Sequence, residues 1–346
     1  MALNLVLTLN AIRQNASALY QERIPLATKT NLEAIATNIA QYQSTQNEFL
    51  NLLVNRIAMV IVNQKKITNP LALLKKGKKP MGKDIEELFV NPSISKEYKY
   101  DSQDLLKVTP PDVKALYYGI NRQDKYPVTI SQPTLMKALT DEGQLNSLVS
   151  AIVNSLYSGD NLDEFMLMKQ MVGLAVSKDH VKQDLLSFRP DNMTETNAKE
   201  LIKKLRAYSL NFTFPSSNYN SYDTVKPVGD TGESVITYTP VKDQVLLIDS
   251  TVYSSINVDV LASAFNMDKT DFMGKVIPVD GFNGEPVVAL LCDEAWFRVY
   301  DDVYRTADMF NGDTLNHSYW LHHWQVLSYS MFANAVAFTY TPEVTP

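Results

Sequence analysis

The chain has 346 residues, of which 45% are hydrophobic, 20% charged and 10% aromatic, with a formal net charge of -6. That is long and apolar enough for a packed core of one large or two modest domains, which excludes a disordered tail protein or a fibre. Only 12 glycines leave few positions for the phosphate-cradling loops of nucleotide enzymes, and the acidic total disfavours whole-surface binding to nucleic acid.

Residues 1–30 are mixed and weakly periodic. From Asn31 the apolar positions Leu32, Ile35, Ala36 and Ile39 follow helical spacing, and Phe49, Leu53, Ile57 and Val60 resume it toward Lys65. Between 66 and 133 the prolines 70, 80, 92, 110, 111, 127 and 133 interrupt short apolar pieces such as Glu87–Val90 and Val128–Ile130. Such density forbids long helices and central strands, leaving edge strands and an extended arm that becomes ordered against a neighbouring subunit.

Helical spacing returns over 134–207. Asp160 is expected as an N-cap with Asp163 and Glu164 in the first turn, and the helix after it is expected to pack on two sides. Its two apolar sets are Phe165, Met168, Val172 and Val176, and Leu167, Met171 and Leu174. Asn197 with Glu200 resembles a capping box for a helix burying Ala198, Leu201, Ile202 and Leu205. Strands are expected at Leu210–Phe214, Val235–Thr239, Val245–Ile248, Lys275–Val279, Val287–Leu291 and Trp296–Tyr300, with a helix over Asn257–Phe265. From Met331 to Tyr340, Phe332, Val336, Phe338 and Tyr340 alternate with the small residues Ala333, Ala335 and Ala337.

Charge is uneven. Between Leu50 and Lys83 lie eight basic residues (Arg56, Lys65, Lys66, Lys75, Lys76, Lys78, Lys79, Lys83) and no acidic one, whereas Asp223–Asp313 holds sixteen acidic and six basic residues. That asymmetry suggests complementarity between copies, against the simpler alternative of solvated faces on one monomer. The single Cys292 cannot form an internal disulfide and lies in an apolar strand before two acids, so it is expected to be an unreactive core thiol. The N-terminus carries neither a basic n-region nor a small-residue cleavage site, and the longest wholly apolar run near a helix, Ile57–Val62, is far short of the ~20 residues that span a bilayer. A soluble protein made in a cytoplasm, with no membrane partner, is expected.

Signals for chemistry are thin. Gly77–Asp84 fits phosphate-loop spacing until Asp84, where a hydroxyl is needed, and Pro80 removes a backbone donor. His317, His322 and His323 cluster near Asp313 but lack metal-site spacing, and His180 is isolated. Ser93–Lys96 matches a S-x-x-K pattern without its companion motifs. Asp249, Asp293 and Glu294 follow apolar runs, a layout that would suit a metal-dependent hydrolase, but no glycine-rich loop or His or Lys partner stands beside them.

The last third carries a resemblance. Asp293-Glu-Ala-Trp-Phe-Arg-Val-Tyr300, Asn311-Gly-Asp313, the aromatic stretch Tyr319–Trp324 and Ser330-Met-Phe-Ala-Asn-Ala-Val-Ala-Phe338 together resemble the end of a tailed-phage major capsid (major head) protein, closest to those of small short-tailed phages of the picovirus group. The resemblance covers about residues 160–340 firmly and implies an α+β, Hong Kong 97-type fold. In that fold 1–62 would be an N-terminal arm and helix, 63–132 an extended loop, 133–218 with 320–346 a peripheral domain with a long helix, and 219–319 an axial domain with a mixed sheet. It implies a non-enzymatic subunit without cofactors or metal that self-assembles into the pentamers and hexamers of an icosahedral head around double-stranded DNA. Its partners would be copies of itself, packaged DNA contacted non-specifically, and scaffolding and portal proteins, with assembly in the host cytoplasm. Lys75, Lys76, Lys78, Lys79 and Lys83 are expected at contacts with an adjacent subunit, or alternatively on DNA phosphates. Relatives can carry an immunoglobulin-like C-terminal domain, where this sequence has Thr341–Pro346, and no residue matches the lysine–asparagine crosslink of some such capsids.

Overall fold

The computed structural model describes residues 2–42, 44–49, 52, 67–97, 108–131, 142–225, 233–256, 276–283, 285–313 and 316–341. The helix expected at 257–265 and most of the stripe after Phe49 lie outside them. The helices are α1 Ala2–Gln14, α2 Ala18–Arg23, α3 Leu32–Gln41, α4 Glu142–Ser177, α5 Glu195–Phe212 and α6 Ser250–Ser255. The strands are β1 Ile85–Val90, β2 Val113–Tyr118, β3 Arg122–Ser131, β4 Lys182–Leu186, β5 Gln244–Asp249, β6 Val276–Val279, β7 Val287–Asp293, β8 Phe297–Asn311, β9 Asn316–Tyr329 and β10 Ala335–Tyr340. No helix among the described residues is long and apolar enough to cross a membrane.

The chain divides into two compact units, Met1–Asn69 with Gln123–Asp163 and Val303–Trp324, and Pro70–Arg122 with Glu164–Asp302 and Gln325–Pro346. The first gathers α1, α2, α3 and residue Phe49 around Ile12, Tyr20, Ile24, Ile35, Ile39 and Tyr319. Residues 1–30 look aperiodic because some of their polar side chains work inside this unit. Asn10 bonds Ala27 through both its amide nitrogen (3.0 Å) and oxygen (2.7 Å), and Arg13 donates to the carbonyls of Ile24 (2.7 Å) and Gln21 (2.8 Å). Asp160 is not an N-cap but an interior residue of α4, and its buried carboxylate lies 2.6 Å from His323 Nδ1.

The second unit is built on a five-stranded sheet of order β4-β10-β7-β5-β6. Its central strands are apolar on both faces, so each face needs its own cover. One face meets Met168, Met171, Val172, Ala175 and Val176 of α4 together with Trp296, and the other meets Ala198, Leu201, Leu205 and Phe212 of α5. The alternation read in the closing strand holds from Ala335 on, whereas Phe332 lies ahead of the strand and packs with Tyr222 and Val235 instead. Ala333, Ala335 and Ala337 join the α4-side core, and Val336 and Phe338 the α5-side core.

Four local expectations need correction. Leu210–Phe214 is no strand, because α5 continues to Phe212, whose side chain extends its buried stripe. That helix is capped not by Asn197 but by Thr194, whose hydroxyl accepts from the Asn197 N–H at 3.3 Å. Val235–Thr239 contributes one antiparallel bridge, Thr237 to Ser216, in place of a strand. On α4 the Phe165–Val176 side is covered, but the second set is not a second packed side, because Met171 joins the same core and Leu174 is exposed.

Phe338→Ala should destabilise the unassembled protein by about 3–5 kcal/mol, since it empties a fully buried aromatic position. Leu185→Ala, on the exposed side of the edge strand β4, should change stability by less than about 0.5 kcal/mol. Urea unfolding of both variants checks the pair.

Candidate assembly interface

The lysine-rich segment enters the second unit through Leu71 and Leu74, both fully buried. Beyond them the backbone runs beside β8, with Lys76 N–H on Val299 O (2.9 Å), Asp301 N–H on Gly77 O (2.9 Å) and Lys79 N–H on Asp301 O (2.7 Å). Lys75 then reaches Glu164 (2.7 Å) and Asp301 (2.9 Å). Gln325 Nε2 donates to both carboxylates, 2.6 Å to Asp301, and accepts from Arg122 through its own oxygen. Burial alone would lower the Lys75 pKa, but the hydrogen bonds and charges of Glu164 and Asp301 outweigh it and raise the value. Two carboxylates that could ligate a metal ion thus hold an ammonium between them.

The remaining lysines divide. Lys76 pairs with Glu294 at 3.5 Å, and the buried Lys79 pairs with Asp302 at 3.1 Å while donating to the carbonyls of Gly82 (2.6 Å) and Lys83 (3.2 Å). Lys78 and Lys83 are exposed and make no ion pair among the described residues. The loop is therefore the reverse of a phosphate cradle. Carbonyls converge on a lysine, and Gly77 and Gly82 supply the positive φ (89° and 141°) that the turn requires.

Strands β1 and β2 follow as an antiparallel pair pairing Glu86 with Tyr117, Leu88 with Ala115 and Val90 with Val113 on one face. The opposite face is anchored. Phe89 stacks on Phe332 at 5.3 Å, Phe332 on Tyr222 at 5.3 Å, and Leu116 packs with them. Glu87 accepts from Arg298, from Ser330 (2.9 Å) and from Tyr118. Among the described residues nothing covers the outer face, and Leu88 (59%), Val90 (59%) and Tyr117 (67%) are exposed.

The acids suggested for hydrolysis do not converge. Gln244 pairs with Asp293 across β5 and β7, and Asp249 lies five residues further along β5, roughly 17 Å away at ~3.4 Å per residue. Asp249 caps α6 through the Thr251 N–H (2.8 Å), and Asp293 accepts from Thr239 (2.7 Å) and the Ala295 N–H (2.7 Å). Burial raises the Asp293 pKa, and those two bonds offset part of the rise. Glu294 is the partner of Lys76. Burial, then the Asp293 charge, push the Cys292 thiol well up, as an unreactive core residue requires. His323 is paired inside the first unit with Asp160, and His180 Nδ1 lies 2.8 Å from the Tyr329 hydroxyl. Ser93 and Lys96 are exposed, and Lys96 bonds Thr109 at 3.0 Å.

Asp163 and Glu164, expected in a helix's first turn, sit in the interior of α4 instead, and Asp301, Gln325, Glu87 and Arg298 carry no site motif in the sequence. Their partners lie up to 243 residues away, and the one signal available was charge placed inside an otherwise apolar helix or strand.

A solved capsid structure of Staphylococcus phage Andhra superposes with a TM-score of 0.65 at 17% identity, covering 81% of this chain and 86% of that one. The fold is accordingly Hong Kong 97-type, α+β with helical and mixed-sheet regions. The family described as Phi29-like phage major capsid protein matches residues 9–339. The major capsid protein of Bacillus phage B103 is 38% identical over 337 residues, covering 95% of this chain and 72% of the relative. That of Bacillus phage PZA is 36% identical over 337 residues, covering 95% and 71%. The chain belongs to the Phi29-like phage major capsid protein family, whose members are the subunits of a tailed phage's icosahedral capsid around its DNA. The family description names a capsid protein and assigns no catalytic activity.

Lys75→Met should cost about 3–5 kcal/mol, because Glu164 and Asp301 lose their shared counter-charge, and adding Glu164→Gln should recover part of that loss. The folded-state pKa of Lys75 is raised above the ordinary lysine value of 10.5, so the pair's stabilisation is complete below that pH and fades as pH rises through the raised value. Urea titrations from pH 7 to 11 should show the gap between wild type and variant narrowing only at the alkaline end.

Proposed function

We propose that this subunit assembles with copies of itself into pentamers and hexamers of a closed head around double-stranded DNA, and that residues 63–132 reach over an adjacent subunit as an extended loop. The outer face of β1–β2 carries the proposal. Two strands alone are marginal in water, and this pair exposes Leu88, Val90, Val113 and Tyr117 together, a face suited to burial on a neighbour. Repetition around closed rings multiplies a modest contact into a stable shell.

The regional assignment goes with it. Residues 1–62 would be the N-terminal arm and helix, 133–218 with 320–346 the peripheral domain, and 219–319 the axial domain. The long α4 lies in the second of these stretches and β5–β7 in the third, which supports the mapping. Because Lys75, Lys76 and Lys79 are paired within the chain, the intersubunit role assigned to the five lysines would fall chiefly to Lys78 and Lys83. Contacts with packaged DNA would be non-specific, and scaffolding and portal proteins would be the other partners during assembly in the host cytoplasm.

Purified protein should form shells, rings or tubes by negative-stain imaging and size-exclusion chromatography, and a clean monomer at every concentration would overturn the proposal. Leu88→Glu combined with Val90→Glu should abolish shells while leaving the melting of the unassembled chain unchanged. Lys78→Gln with Lys83→Gln should weaken assembly. If it spared assembly and lowered packaged DNA instead, those lysines would face DNA.

A further inference from the structure

The lysine loop carries one side chain that no interaction above uses. Met81 is fully exposed at the tip of the turn, next to the exposed Pro80. The turn is no loose excursion. Three main-chain hydrogen bonds hold it along β8, and the Lys79 ammonium closes it from inside through Gly82, Lys83 and Asp302. Burying a lysine is costly, and what this one fixes in place is a tip whose apolar group points to solvent.

A pre-ordered tip pays little entropy on docking. Methionine is enriched at the centres of protein interfaces, where lysine is depleted, and its unbranched thioether adapts to irregular pockets. The two lysines beside it, Lys78 and Lys83, remain exposed and supply a cationic rim. One methionine between two lysines is too small an apolar surface to hold a lipid interface, and a DNA backbone would engage the lysines and leave the methionine wet. A second copy of this chain fits both halves of the feature. Copies surround each subunit in a capsid, and over Asp223–Asp313 the chain carries sixteen acidic residues, of which its own Lys75, Lys76 and Lys79 take Asp301, Glu294 and Asp302, against six basic ones.

We propose that Met81 is the apolar anchor by which the lysine loop docks on a second copy of this chain, seated in an apolar pocket with an acidic rim. The inference rests on the capsid assembly proposed above and names the residue that centres one of its contacts.

The experiment compares full-length wild type, Met81→Leu and Met81→Lys for the protein concentration at which shells first appear by light scattering and imaging. Met81→Leu should lie within about twofold of wild type, and Met81→Lys should need about tenfold more protein. Because Met81 is fully exposed, both unassembled variants should melt as wild type does. Met81→Lys assembling at the wild-type concentration would overturn the anchor while leaving the assembly proposal standing, whereas wild type that never assembles would overturn the latter. A photo-crosslinking residue at position 81 should join two copies of the chain. Crosslinks confined to DNA in filled particles, or to the same chain, would overturn the inference even if a point variant misfolds.

Discussion

Everything in the second unit depends on a sheet that must be covered twice. Strand β7 lies between β10 and β5, and its residues Val287–Cys292 are buried without exception, so neither face can meet water. Leu246 and Ile248 of β5 fall in the α5-side core and Val245 and Leu247 in the α4-side core, the alternation that strand geometry imposes. At Val288 the pairing with β10 shifts register, and Val288 and Ala289 consequently share the α5 side. The edges are closed differently. Pro278 in β6 lacks the N–H that a further strand would need, and on β4 the Leu185 carbonyl accepts from Lys204.

Once both faces of the sheet are occupied, the remaining segments attach through polar groups. The Lys75 cluster and the Glu87 cluster perform the same task. Each draws donors from distant segments onto buried or half-buried carboxylates, and each fixes a stretch that the sheet core alone would not position. Such pairs contribute little net stability over apolar packing, yet breaking one strands a buried charge, so their effect is to select a single placement. The consequence is an orientation. With Glu87, Phe89 and Tyr118 turned inward, the pleat obliges Leu88, Val90 and Tyr117 to face outward.

Much of this was legible in the sequence. The strands at 245–248 and 287–291, the stripe of Ala198, Leu201 and Leu205, and the two-faced closing strand follow from local periodicity, and each is buried as that periodicity requires. Pro127 marked β3 as an edge strand, and β3 is at the edge of its sheet. Local pattern failed where a distant partner decided the outcome. Asp160 is of a residue type that caps helices but sits inside α4, where its buried carboxylate lies 2.6 Å from His323, 163 residues on. The alternation of Leu210–Phe214 mimics a strand, yet packing against the sheet keeps Leu210–Phe212 on α5. The lysine run reads as a uniform basic surface until tertiary contacts sort it into paired and exposed members.

That sorting bears on how a capsid subunit can be both sturdy and reversible in its contacts. Five lysines displayed together would make assembly depend strongly on salt and would attract any polyanion present. Spending Lys75, Lys76 and Lys79 on carboxylates of the same chain turns most of that charge into internal bracing. What is left outside is a short cationic rim and an apolar hairpin face, and in the contact with a neighbour proposed above burial would supply affinity and charge would supply discrimination among partners. Contacts of that kind are individually weak enough to be corrected while a shell grows, and their repetition at every subunit makes the closed form stable.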